Sequence, residues 1–151
     1  QKTAYEITYG DWSSNVCSSD LKDGSIETIY NHWDGYPTYV GTLLTLFYGE
    51  KETRKLLKFG NRSSLHAKPT KVDTYQARGE SGQEAVKYGS FAEFAQAPKS
   101  GAEFAYLLES NEKFGYAGSS WVAYEVDWQN DGLKRLGIIE REVKFKDSLA
   151  A

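Results

Sequence analysis

The sequence predicts an α+β fold: a single domain in which an antiparallel sheet carries two to three short helices packed on one face. Three observations lead to this reading. Apolar and polar residues alternate with period 2 around Ile26, Thr28 and Tyr30, again through Phe104, Tyr106 and Leu108, and again through Val122, Tyr124, Val126 and Trp128. Between the first and second of these strands, Val40, Leu43, Leu44 and Phe47 fall at i, i+3, i+4 and i+7, the single buried stripe of a helix. A length of 151 residues suits one domain, and neither an internal repeat nor a low-complexity linker divides it.

The first strand follows a Lys22-Asp23-Gly24 turn and is broken by Asp34-Gly35. Pro37 then suits a first helical position, where its missing N–H costs nothing, and Gly49 reads as the stop of that helix. Gly41 inside it costs about 1 kcal/mol relative to Ala, so a close backbone contact is expected there. Residues 50–59 read as a second helix with a Glu50/Arg54 pair at i, i+4 and with Leu56, Leu57 and Phe59 turned inward, ended by Gly60. Residues 71–76 and 84–88 read as weak strands around the loop 78–82. Ser90 and Glu93 form a capping-box pattern that opens a third short helix through Gln96. The strands 103–108 and 121–128 should pair as an antiparallel hairpin across the loop 110–120. Residues 132–151 suit a helix through Leu133, Leu136, Ile139 and Val143, or a strand through Val143 and Phe145.

Composition limits the function classes. The hydrophobic share is 40%, but 4 Trp, 11 Tyr and 7 Phe supply large side chains for a core. Net charge is −3, with 18 basic residues scattered among 21 acidic ones, so non-specific nucleic-acid binding is not expected. A lone Cys17 excludes an intramolecular disulfide. No apolar run approaches 18 residues and no stretch reads as a signal-peptide core, so the expectation is a cytoplasmic protein without a membrane partner. The oligomeric state is left open.

Residues 11–21, from Asp11-Trp12 through Cys17 to Asp20-Leu21, resemble the in-frame translation of a common sequencing adapter, with Asn15 the single departure. Such a segment was never selected to fold. Residues 1–21 are therefore expected to be artefactual or disordered, the domain to span 22–151, and the source to be metagenomic.

The groups able to recognise a ligand are densest between Tyr30 and Gly41, where His32, Trp33, Asp34, Tyr36 and Tyr39 meet a Gly/Pro turn. His32 and Asp34 lie two apart and share one side of an extended strand end. A metal there would need a further ligand beyond His66, and no spacing motif supplies it, so no metal and no cofactor is expected. No serine sits in a Gly-x-Ser-x-Gly context and no nucleophile–base spacing is present. The economical combination is rings with arginine: Trp33, Tyr36 and Tyr39 stack on a planar ligand while Arg62 or Arg78 meets an anion and Glu80 sits beside it. The competing interpretation makes Trp33 and Tyr36 core residues that fasten strand to helix. Two further functions remain open, a hydrolase using His32 with Asp34 or Glu80 and a structural or assembly protein of a virion.

The segments DGSIETIYNHWDGYPTYVG, GNRSSLH and ARGE, in this order, resemble a group of small uncharacterised proteins encoded by tailed phages and prophages. The likeness covers roughly 22–128 and is strongest over 30–41. Many members carry a basic–acidic pair directly before Arg-Gly-Glu, where this chain has Gln76-Ala77, a departure that weighs against catalysis. The resemblance implies a phage accessory protein of host-takeover or counter-defence type, acting by binding a host protein or a small nucleotide-like ligand in the bacterial cytoplasm.

Overall fold

The computed structural model describes residues 14–99, 101–111, 118–127, 129–130 and 132–139. In chain order these form β1 (Asn15–Asp20), β2 (Ile26–Asn31), a π-helical turn (Pro37–Gly41) running into α1 (Thr42–Phe47), and α2 (Glu50–Phe59). A 3-10 turn (Gln76–Arg78), β3 (Val86–Tyr88), α3 (Phe91–Gln96), β4 (Phe104–Ser110), β5 (Ser119–Asp127) and β6 (Gly132–Ile138) follow. The strands make one sheet in the order β3-β2-β1-β4-β5-β6. The class is α+β, as the alternating strands and the helical stripe indicate. Among the described residues, no helix is long and apolar enough to cross a membrane.

The sheet is mixed where an antiparallel one was expected. Every neighbouring pair is antiparallel except β1 and β4, which run parallel, with Val16 opposite Ala105 and Cys17 opposite Tyr106. Alternation reports local pairing, and a parallel pair needs a long crossover that leaves no local signature. Within the segment expected to be artefactual or disordered, Asn15–Asp20 is ordered as an interior strand of the sheet.

Each sheet face buries one layer. On the first, Cys17, Ile29, Tyr106, Leu108, Trp121 and Ala123 meet Val40 and Leu44 of the first helical segment and Leu56 and Leu57 of α2. On the second, Val16, Ile26, Leu107, Val122 and Tyr124 meet Phe94 of α3. The helices therefore divide between the faces instead of sharing one. Ser90 fixes the direction of α3: its hydroxyl accepts from the Glu93 N–H at 3.2 Å, and Phe94 then meets the Tyr88 ring at 5.8 Å. Burying each such Leu, Val or Phe stabilises the fold by about 1.5–3 kcal/mol.

Local differences have local causes. Gly49 does not stop α1 but is the N-cap of α2, its N–H donating to Glu52 Oε1 at 3.1 Å. Phe47 is 47% exposed, not buried, because α1 ends there and Tyr48 takes the inward place, 3% exposed. Gly41 is tightly packed as expected: a Cβ there would lie 3.3 Å from Ile139 Cδ1. Gly60 closes α2 at φ +83 and ψ −165, a region that only glycine occupies readily. Residues 71–76 are a turn, not a strand, with Asp73 at φ +65 and the Thr74 hydroxyl donating to the Lys71 carbonyl at 2.7 Å. Residues 84–88 keep only the three-residue β3. The ambiguous end resolves as β6, whereas Trp128, Val143 and Phe145 lie outside the described residues or side chains.

Candidate ligand-binding site

Past the end of β2 the chain is joined to two distant segments. The Arg62 N–H donates to the Tyr30 carbonyl at 2.9 Å, His32 N–H donates to the Arg62 carbonyl at 3.1 Å, and Trp33 N–H donates to the Ser63 carbonyl at 2.8 Å. The Asn61 side-chain oxygen adds a bond from Tyr30 N–H at 2.9 Å. On the outer side, Ser63 N–H donates to Asp73 and Tyr75 N–H donates to Asn61, at 2.9 and 3.1 Å. Irregular backbone needs such partners when water is excluded, so 30–33, 61–63 and 73–75 form one cross-stitched elbow. Tyr106 ties the elbow to the sheet, its hydroxyl donating to the Gly35 carbonyl at 2.6 Å.

The elbow sets out a row of side chains. Tyr30 and His32 lie two apart on one strand side, phenol to Nδ1 at 2.9 Å, and the His32 ring meets Trp33 edge-on with centroids 4.5 Å apart. Arg78, at the end of the 3-10 turn, is exposed; its Nη2 donates to Ser63 Oγ at 3.0 Å and its guanidinium lies 5.3 Å from the Tyr75 ring centroid. Partial burial, and then the neighbouring Tyr30 phenol, raise the pKa of Tyr75 above its ordinary value, against the pull of Arg78. Glu80 follows on the same turn, its N–H donating to the Tyr75 carbonyl at 3.1 Å.

His32, Trp33, Arg78 and Glu80 are thus brought to one elbow. Four expected residues play other parts. Arg62 is fully buried beneath the elbow, its Nη2 donating to the Thr70 carbonyl at 2.7 Å, so it frames the site from inside. Asp34 lies at φ +57, past the end of β2 at Asn31, so the strand alternation that aligned it with His32 no longer holds. Tyr36 turns to the sheet and meets Phe104 edge-on at 6.1 Å. Tyr39 projects from the π-helical turn, 47% exposed. Sequence reasoning missed Tyr30, Ser63 and Tyr75, although the period of 2 from His32 and the three-residue step from Arg78 would have found the first and last.

Below the surface row, Nε and Nη1 of Arg62 lack hydrogen-bond partners among the described residues, as do Asn31 Oδ1 and Thr53 Oγ1. Burial lowers the pKa of Arg62, and the adjacent thiol and phenol offer no negative charge at neutral pH. Burial pushes Cys17 up to about 12 against the opposing influence of Arg62 and Asn15, and it pushes Tyr48 upward too. The Asp73 carboxylate favours the Arg62 cation, more weakly than burial opposes it, and lies against His66 Nε2 at 2.9 Å. Among the described residues, no group of three or more His, Cys, Asp or Glu side chains gathers to hold a metal ion. No protein-family model, curated protein or solved structure matches this chain.

Proposed function

We propose that the chain is a binding protein of phage or prophage origin that acts in the bacterial cytoplasm and holds a small planar anion of nucleotide type at the β2 elbow. The phage setting rests on the likeness of the 22–128 segments. The ligand class rests on one observation: Arg78 is exposed and forms no ion pair among the described residues, yet its guanidinium is already held by Ser63 Oγ and the Tyr75 face. A guanidinium fixed in advance loses little side-chain freedom on meeting phosphate, and the remaining N–H groups suit a bidentate contact. The His32–Trp33 pair beside it offers ring surface for a base.

A charge-assisted bond contributes about 1.5–3 kcal/mol and one stacked base about 1–3 kcal/mol, which together support binding from roughly ten millimolar to tens of micromolar. Titration with adenosine monophosphate, followed by amide resonances, should move residues 30–33 and 75–80. Adenosine without its phosphate should bind about tenfold more weakly, and Arg78→Gln should lose the same factor with its circular dichroism unchanged. Equal affinity for both ligands, or an Arg78→Gln variant that binds like the native chain, removes this reading. The exposed Tyr39 ring on the π-helical turn supports a second reading, capture of a host protein surface. A host partner whose affinity falls in Tyr39→Ala while adenosine monophosphate never binds would establish it.

A further inference from the structure

We propose that a second site, at the opposite end of the sheet, binds the zwitterion of an apolar α-amino acid. Two adjoining cavities there, of about 550 and 350 Å³, share Glu50, Leu108 and Ser119 in their walls and together make up a trough. Both volumes fall within the range of small-molecule sites. The larger half is walled by Phe47, Trp121 and Ile139. Trp121 Nε1 is already committed to the Tyr48 carbonyl at 2.8 Å, so an incoming group meets hydrocarbon there.

The smaller half is lined by Lys22 and Arg54, with Glu50 at the junction. Glu50 and Arg54 stand four apart on α2, a spacing at which opposite charges can pair. They do not: among the described residues the ion pairs within 4.0 Å are His66–Asp73 and Lys87–Asp23. Glu50 Oε2 accepts from Ser119 Oγ at 3.2 Å instead. Asp20, also at this end, has a partner of its own. The trough therefore holds two cations without a carboxylate in contact, one carboxylate without a cation, and an apolar wall, arranged around one junction. An α-amino acid carries the three complementary groups on a single carbon. Its carboxylate meets Arg54 and Lys22, its ammonium meets Glu50, and its side chain lies against Phe47 and Ile139. The residues assigned to the ligand lie outside the adapter-like segment and the elbow, although Ser19, Asp20 and Leu21 complete the wall of the smaller cavity.

The test uses the full chain and commercially available ligands, with L-phenylalanine and L-leucine titrated while amide resonances are followed. Shifts confined to residues 19–24, 46–54, 108–110, 118–121 and 138–139 are expected. N-acetyl-phenylalanine removes the ammonium and phenylalanine amide removes the carboxylate; each should bind about tenfold more weakly than phenylalanine. Glu50→Gln should weaken phenylalanine while leaving N-acetyl-phenylalanine unchanged, and Arg54→Gln should do the same for phenylalanine amide. The proposal is overturned if neither amino acid binds at millimolar concentration, if shifts lie elsewhere, or if the blocked ligands bind as well as the zwitterion. The blocked-ligand comparison runs on the native chain, so it decides the matter even if a variant misfolds.

Discussion

The two ends of the sheet use polar residues in opposite ways. At the elbow end, Tyr30, Asn61, Ser63, Tyr75 and Arg78 bond to one another, and the buried Arg62 braces the Thr70 carbonyl from within. At the trough end, Glu50, Arg54 and Lys22 line a cavity without pairing, beside an exposed Phe47. One end has its geometry fixed before any ligand arrives, and the other keeps its charge uncommitted. Hydrogen-bonded segments resist substitution, whereas unpaired surface charges can change with little effect on folding. Stability measurements should therefore separate the two ends cleanly.

The largest effect is expected under the elbow, at Cys17. Its thiol stays protonated in the folded chain up to about 12, against an ordinary value of 9.0, because burial disfavours the thiolate. A raised folded value gives stability that is complete below 9.0 and is lost as pH climbs toward 12, on the order of 4 kcal/mol across the whole window. Chemical denaturation at successive pH values should show the loss beginning between 9 and 10, before free tyrosines ionise. Cys17→Ala should flatten that limb. A native chain whose stability holds constant from 8 to 10 would mean the thiol is not sealed between the sheet and α2.

Next comes Arg62, where the two opposing contributions can be separated. Arg62→Ala removes packing volume and leaves the Thr70 carbonyl without its donor, which should cost about 3 kcal/mol. Arg62→Met also gives up the Thr70 contact, but it keeps most of the stem and removes a buried charge whose Nε and Nη1 are unpaired, so it should lose much less than Ala. If Met proves as damaging as Ala, the guanidinium contributes more through its polar contacts than its missing partners suggest.

These two residues also mark how far the sequence could be read. The elbow was legible because it is local: ring density, the Asp34-Gly35 break and Pro37 all lie within a few residues. The alternation of β4 and β5 was legible for the same reason, and their antiparallel pairing holds from Phe104 opposite Glu125 to Ser110 opposite Ser119. What escaped was set by distant partners. The parallel pairing of β1 with β4 joins residues nearly the whole domain apart, and Arg62 reads as a turn residue until Tyr30 and Thr70 enclose it. Phe47 fits the helical stripe on paper, but the stripe gives its last inward place to Tyr48. Arg54 was placed correctly on its helix and wrongly in a pair, since the i, i+4 spacing permits an ion pair without requiring one.

A smaller effect should follow from Tyr106→Phe. It removes the hydroxyl that donates to Gly35 at 2.6 Å and leaves that carbonyl unpaired in the interior. A loss of about 1–2 kcal/mol is expected, with amide exchange quickened in 32–36 more than in β5. Uniform quickening across the sheet would show that Tyr106 supports the core generally and does not anchor the elbow in particular.

The smallest effect is the one that sets the trough apart. Arg54→Gln changes an exposed side chain with no ion pair among the described residues, so urea denaturation should place it within about 0.5 kcal/mol of the native chain. Glu50→Gln should behave alike, because the amide oxygen can still accept from Ser119 Oγ. If Glu50 and Arg54 attracted each other through water across the helix surface, the two losses would each exceed this limit and the double variant would lose less than their sum. Additive and near-zero values are expected instead. They would mean that folding places no demand on either charge, in contrast with Arg62, which is interior and feels the Asp73 carboxylate only at a distance.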